Sequence, residues 1–428
     1  MSRSGFILTL LFSLIVPEVE PAGAVEAPKN YLMQSCEATP ALACIERITA
    51  TTKAGLTAVA DRPISSQVMG SGEDLGTYEE WVLPGFNFEG SSKNKVIPRI
   101  VFRPYGAKTC NFEACFVGLE EIQVGIEPTW LVATDEDLKS RAMDLSRRGS
   151  QKLCGDLKNP QLCYRAFNFN LDFSIKIEMR IPKDFTSSAI LGSVKDLVYT
   201  ETSSSLPGFK SLAVIFSPQK LQRPLFSALV PSPMKSSQYA DFEADQSNFW
   251  IVGKRSNQSA KLGRCSTVPF ITVLSNSIYQ ELPVWNVQNQ TIEVGLTAPH
   301  FTVNGELHRG YFEATISKAM GECLWGIDLS KKAIAKMSIS YQSEGIAEVQ
   351  TVSGSFDGEN YKLFSSNFHY SSPTVAFKLV SEVAAPTPTN SPSPIAKKIT
   401  VITCVKGKTT KKVAAEKPKC PTGFKLKV

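Results

Sequence analysis

Histidine is nearly missing from this chain, whose 428 residues carry only His300, His308 and His369. No C-x-x-C pair occurs either, and a structural zinc site draws its ligands mainly from cysteine and histidine. Zinc is therefore a weak reading, and neither a metal nor a cofactor is expected. Common enzyme motifs are absent as well: no H-E-x-x-H, no Walker loop, and no serine elbow of the form G-x-S-x-G. The nearest approach to that elbow, Gly354-Ser355-Phe356-Asp357-Gly358, sets its serine one place early. With so few histidines, nothing in the sequence brings one close to a nucleophile. Long apolar runs are equally scarce. The run at the N-terminus, from Phe6 to Val16, falls well short of the roughly 20 residues that a helix needs to cross a bilayer. No second run approaches that length, so no transmembrane span is expected in the mature protein.

What is present begins with that first run. Arg3 precedes it, and Pro17 and then Ala22-Gly23-Ala24 follow. A charged start, an apolar stretch and a small-residue exit read as a signal peptide over residues 1–24, cleaved after Ala24. The rival reading is an uncleaved tethering helix. All ten cysteines lie beyond this point, and an even number in an exported chain reads as disulfides. The positions fall into neighbours: Cys36 with Cys44, Cys110 with Cys115, Cys154 with Cys163, Cys265 with Cys323, and Cys404 with Cys420. Ten cysteines allow about 945 pairings, and sequential pairing is the economical one because each bridge then stays within a local unit. With the thiols oxidised, a cysteine nucleophile is disfavoured.

The net charge of +6 is unevenly spread. Residues 397–428 contain ten lysines and one acid, Glu416, for +9, while residues 1–396 sum to −3. Ahead of this basic tip, residues 384–396 include Pro386, Pro388, Pro392 and Pro394 among Thr and Ser. That composition cannot pack a core and behaves as an extended spacer. Hydrophobic residues make up 43% of the chain, enough for true cores in which disulfides reinforce and do not substitute.

The strongest local pattern runs from Phe167 to Ile181, where Phe167, Phe169, Leu171, Phe173, Ile175, Ile177, Met179 and Ile181 alternate with polar residues. Period two predicts a strand with one dry and one wet face. A straight strand of this length would reach roughly 50 Å, so a bend or bulge is expected within it, and Pro182 ends it. Shorter alternations recur at Ile122/Val124/Ile126, Ile292/Val294/Leu296, Met337/Ile339/Tyr341 and Val375/Phe377/Leu379. Asn304-Gly305 and Asp357-Gly358 suit tight hairpins. Thr134, the acids at 135–137, and Arg147, Arg148 and Gly149 bracket one short helix, about 135–148. The fold expected is mainly β: antiparallel β-sandwich domains over 25–245, with the helical insertion, and over 246–383. After the 384–396 linker comes a small disulfide-stapled hairpin in 397–428.

Carboxylates are the hardest chemistry to set aside. Asp241, Glu243 and Asp245 alternate and would line one face of a strand, with Phe249 and Trp250 beside them. Paired acids serve glycosidases and clustered oxygens hold calcium, but a solvated acidic linker is the blander reading and the better supported. Trp81, Trp130, Trp250, Trp285 and Trp325 each fit a core position better than a ligand platform, and Trp325 is placed to pack on the Cys323 bridge.

The tail is the most distinctive segment. Ile399 to Val405 and Thr409 to Val413 read as paired strands about a Lys406-Gly407-Lys408 turn, stapled by Cys404 and Cys420 because so small a unit needs reinforcement. Lys406, Lys408, Lys411, Lys412, Lys417 and Lys419 would present a fixed cationic surface to a polyanion: an anionic wall polymer, a lipid headgroup or an acidic glycan. Nucleic acid is not expected, since the tail lacks arginine and offers only Phe424 for stacking. The segments from Ile402 to Val413 and from Lys417 to Pro421 resemble a C-terminal element of exported actinobacterial proteins. Phe368-His369-Tyr370-Ser371-Ser372-Pro373 and Cys323-Leu324-Trp325-Gly326 are similar to other parts of them. That resemblance implies an exported location and carries no activity. The function expected is a secreted or cell-surface, non-catalytic binding or adhesion protein. A glycan-active hydrolase using Asp/Glu pairs and a structural wall component are the alternatives.

Overall fold

The computed structural model describes residues 29–426, without 62–63, 67–77, 89–93, 111–114, 118–119, 132–163, 167–168, 170–171, 225–239, 256–261, 264, 266–270, 330–332, 342–346, 351, 371–372, 382–399, 408 and 416–417. The segments expected to be a signal peptide, a helix at about 135–148 and a linker at 384–396, together with Cys154, Cys163, Lys408 and Lys417, lie outside the described residues. Among those described, 31 strands and one helix form a mainly β protein. Compact packing divides it into a body ending at Ser381 and a C-terminal unit from Glu382.

The body is organised about a nine-stranded sheet. Five of its strands, Tyr31–Leu32, Val101–Arg103, Glu121–Val124, Phe249–Gly253 and Ser187–Gly192, pair antiparallel in that order. Four more, Ile271–Ser275, Arg309–Ser317, Asn360–His369 and Ser353–Phe356, do the same. The two sets join through one parallel pairing, Ser187–Gly192 beside Ile271–Ser275. The sheet therefore does not break near residue 245, where a domain boundary was expected. Phe249–Gly253 pairs only with N-terminal strands, and the two halves meet edge to edge in a shared layer.

A separate core lies against each face of this layer. On one side Ile122, Val124, Ile190, Phe249, Ile251 and Leu274 meet residues such as Ile48, Phe173, Ile177, Val214 and Phe216 of a six-stranded sheet. On the other, Ala189, Leu191, Val252, Ile271, Val273 and Phe312 meet Ile292, Val294, Ile339, Val375 and Phe377 of a second six-stranded sheet. Alternate residues of one strand thus enter different cores, as the two-residue repeat requires. The joining strands have no wet face: every residue of Ser187–Gly192 and Ile271–Ser275 is buried.

Each joining strand then leaves the shared sheet for a different layer. After Ser193 the chain enters Val194–Ser203, the edge of the first six-stranded sheet. After Ser277 it enters Ile278–Tyr279, the edge of the second. Buried polar side chains bind the two corners together. Ser193 Oγ donates to the Ser277 carbonyl at 3.1 Å, and Tyr279 Oη lies 3.0 Å and 2.9 Å from the carbonyls of Gly192 and Val273. Asn276 uses all of its amide: Oδ1 accepts from Tyr370 Oη (2.6 Å) and Tyr311 N–H (2.8 Å), while Nδ2 donates to Arg309 O (2.8 Å) and lies 3.3 Å from His308 Nε2. Gly192 has no room for a side chain, since a Cβ there would stand 2.5 Å from Phe249 Cβ.

Of the long alternation, Phe173 to Ile181 falls within the strand Phe173–Pro182 of the first six-stranded sheet, while Phe167 and Leu171 lie outside the described residues. Phe173, Ile175, Ile177, Met179 and Ile181 are all buried, and the pairing with Cys44–Thr52 slips at Glu178/Met179. Asn304-Gly305 and Asp357-Gly358 both sit in hairpin turns, with Gly305 and Gly358 at positive φ. The helix Lys318–Trp325 had no sequence expectation. Ser317 caps it by accepting from Met320 N–H, and Gly326 stops it in the left-handed region.

Two outcomes test this packing. Phe173, ringed by Phe86, Phe88 and Phe169, should cost about 3–5 kcal/mol on change to Ala, whereas Lys176→Ala should stay within about 1 kcal/mol because it loses only a partly exposed pair with Glu178. Denaturant melts of the two variants compare them directly, and equal losses would refute the face assignment. His308 is buried, with Nδ1 3.1 Å from the Pro299 carbonyl, so that Nδ1 donates and Nε2 accepts from Asn276. Burial lowers its pKa, partly offset by the Pro299 bond and the Glu243 charge. The unfolded chain then takes up the proton first, so this stabilisation is present above about pH 6.5 and is lost as pH falls below it. His308→Gln should flatten the fall in melting temperature between pH 7.5 and 5.5, and an unchanged fall would exclude His308 as its source.

Candidate functional site

The C-terminal unit is a three-stranded sheet. Thr400–Lys406 pairs with Thr409–Ala415 on one edge and with Lys425–Leu426 on the other. Lys406 faces Thr409 across a two-residue turn whose Gly407 has φ of 60°, as a tight hairpin requires. Cys404 is bonded to Cys420 and fully buried, which makes the disulfide the centre of the unit.

The lysines are distributed around this centre. Lys411 stands opposite Cys404 in the register, and Lys406 is two residues along the same strand, so both share the Cys404 side. A Cβ on Gly423 would come within 3.3 Å of Lys406 Nζ, which lies along the 421–424 turn. Lys425 pairs with Val405 and takes the opposite side. Lys412 pairs with Thr403, and Lys419 is exposed beside Cys420. Lys406, Lys411, Lys419 and Lys425 are all exposed. The lysines expected to make a cationic surface on a hairpin are accordingly joined by Lys425, and together they occupy both sides of a small sheet. Lys425, on the third strand, was not among the lysines singled out in the sequence.

The remaining cysteines follow sequential pairing where they are described. Cys36 is bonded to Cys44 and Cys265 to Cys323, and Cys110 stands opposite Cys115 in a two-stranded ladder. The first bridge adjoins a buried clamp, in which Ser35 N–H and Oγ donate to Glu79 at 2.6 Å and 2.9 Å.

Asp241, Glu243 and Asp245 lie on Ala240–Gln246, antiparallel to the end of Phe209–Pro224. Glu243 accepts from Lys220 Nζ at 2.8 Å and from Gln222 Nε2, which occupies its carboxylate in a cross-strand ion pair. Phe249 is wholly buried in the first core and cannot be a platform. Trp81 is core too, and Trp285 and Trp325 meet edge to face at 5.8 Å, with Trp325 Nε1 donating to the Gln290 carbonyl.

Two open grooves occupy the places where a facing sheet turns away from the shared one. The first, about 440 Å³, lies between Val194–Ser203 and the strands Arg309–Ser317, Asn360–His369 and Ser353–Phe356, with Asp196, Glu313, Lys362 and Phe364 in its wall. The second, about 310 Å³, lies on the opposite face beside Ile278–Tyr279, with Trp250, Leu191, Leu282 and Glu121. Burial raises the Glu121 pKa, and the Arg103 guanidinium 3.2 Å away opposes that rise.

No family profile, no curated protein and no solved structure matches this chain.

The C-terminal unit is small enough that its disulfide should decide its stability. Changing Cys404 and Cys420 to Ser should abolish amide protection over residues 400–415 in hydrogen exchange and leave the melting of the body unchanged. Retained protection would mean that the three strands hold without the staple.

Proposed function

We propose that the chain is an exported, non-catalytic binding or adhesion protein held at a polyanionic surface of the cell envelope by its C-terminal unit. The observation that carries this reading is the stapled three-stranded sheet with Lys406, Lys411, Lys419 and Lys425 exposed on it. A charge of +9 within residues 397–428 stands against −3 in the rest of the chain, so attraction to an anionic polymer is concentrated in one small, rigid part. The disulfides are consistent with export into an oxidising compartment. The likeness of the tail to exported actinobacterial proteins points the same way. The ion-paired Glu243 favours binding over hydrolysis by the acidic trio.

Exposed lysines on a polyanion act through screened Coulomb attraction, and the Debye length falls from about 10 Å at 0.1 M salt to about 3 Å at 1 M. Deleting residues 397–428 should release the protein from envelope fractions, and 1 M salt should release the intact chain. Changing Lys406, Lys408, Lys411, Lys412, Lys417 and Lys419 to Gln, with both cysteines kept, should match the deletion. Retention of both altered chains at low salt would move the anchor to the body and overturn the proposal.

A further inference from the structure

We infer that the groove between Val194–Ser203 and the open end of the nine-stranded sheet is a binding site for a neutral linear saccharide. Three strands supply its floor in register. Glu313, Phe364 and Ser353 stand in one row across the sheet, and Lys362 and Ser355 stand side by side in the next. Lys362 and Phe364 point away from the second core, because Tyr361 and Leu363 between them are buried in it. The first six-stranded sheet does not cover them, and Phe364 remains 39% exposed.

The wall is built by an irregular edge strand. Pairing between Val194–Ser203 and Phe209–Pro224 slips between Lys195 and Val198, and Asp196 within the slip has φ of 53°. Such bulges redirect side chains and are frequent beside functional sites. Tyr311, packed against the first core, adjoins the lining residues. Its ring lies 5.3 Å from that of Phe364, the Lys195 ammonium is 6.0 Å from its centroid, and its hydroxyl donates to Glu313 Oε2 at 2.5 Å. Burial and the adjoining Glu313 carboxylate raise the Tyr311 pKa, so this hydroxyl stays a donor and fixes the orientation of Glu313.

The chemistry of the lining selects among ligand classes. Exposed apolar surface is limited to the Phe364 ring and Val198, too little for a lipid chain or a protein interface core. Asp196 and Glu313 would repel a polyanion, which also separates this groove from the lysine-bearing tail. What fits is a molecule with a flat apolar face for Phe364 and a rim of hydroxyls. The carboxylates accept from such hydroxyls, the Lys362 ammonium donates to them, and Ser353 and Ser355 do either. A pyranose ring has that form, and about 440 Å³ lies in the range of small-molecule sites. An open-sided groove over a flat floor suits successive residues of a linear chain.

The inference rests on reading the body as a binding part but does not depend on the role of the tail. Isothermal titration of the full chain with neutral hexasaccharides of β-linked glucose, N-acetylglucosamine and mannose should find binding to at least one. Phe364→Ala and Glu313→Gln should each weaken it at least tenfold, with Phe364→Tyr retaining it. Because the probes are uncharged, changing the tail lysines to Gln should leave the titration unaltered while abolishing envelope retention, so each reading can fail alone. Glu313→Gln is isosteric and decides the matter if Phe364→Ala does not fold. Absence of binding to all three probes, or binding that neither Phe364→Ala nor Glu313→Gln weakens, would overturn the assignment.

Discussion

Ser187–Gly192 and Ile271–Ser275 lie side by side, parallel, and buried on both faces, and the body of the protein is arranged around that pair. Parallel strands require long connections, since a tight turn can join only antiparallel neighbours. Here the intervening chain builds much of the first sandwich before the second partner returns. A strand with no wet face must also be apolar or internally satisfied. Ala189, Ile190, Leu191 and Gly192 pair with Ile271, Thr272, Val273 and Leu274, and Ser188 and Ser275 turn their hydroxyls to the carbonyls of Val252 and Tyr311. Two hydrophobic cores are thereby fused through one layer, so a change in these strands is felt on both sides.

The corners follow from that constraint. Each joining strand must leave the layer, and leaving means breaking the ladder inside the protein. An unpaired backbone group there would carry a desolvation cost. Ser193, Ser275, Asn276, Ser277, Tyr279 and Tyr370 occupy the gap as a connected network, with the Tyr370 pKa pushed up to about 12 by burial. The same departures create the two grooves. Where a facing sheet peels away, the face of the shared sheet is left open, mixed and polar on one side, and lined by Trp250 and leucines on the other.

The C-terminal unit obeys a different economy. It has few residues with which to make a core, and its one fully buried side chain among those described is a half-cystine, Cys404. A covalent centre frees almost every other position to be lysine or threonine. That is why a strongly basic segment folds as a sheet at all.

The sequence by itself determined the β class, the odd-numbered core face from Phe173 to Ile181, the hairpin turns and the tail staple. Each of these is written in a local pattern: period two, glycine at positive φ, and cysteines close in sequence. It did not reveal the helix Lys318–Trp325, whose two turns are too short to establish a period, although Ser317 and Gly326 marked its ends. Nor could it give the fusion of the halves, because a short apolar run such as 189–191 looks alike whether one face or both are buried. The grooves were equally hidden. Asp196, Glu313 and Phe364 are far apart in the chain, and only the pairing of Arg309–Ser317 with Asn360–His369, and the turn of the chain at Ser193, bring them together. Non-local strand pairing decided the site, and no window of sequence contains it.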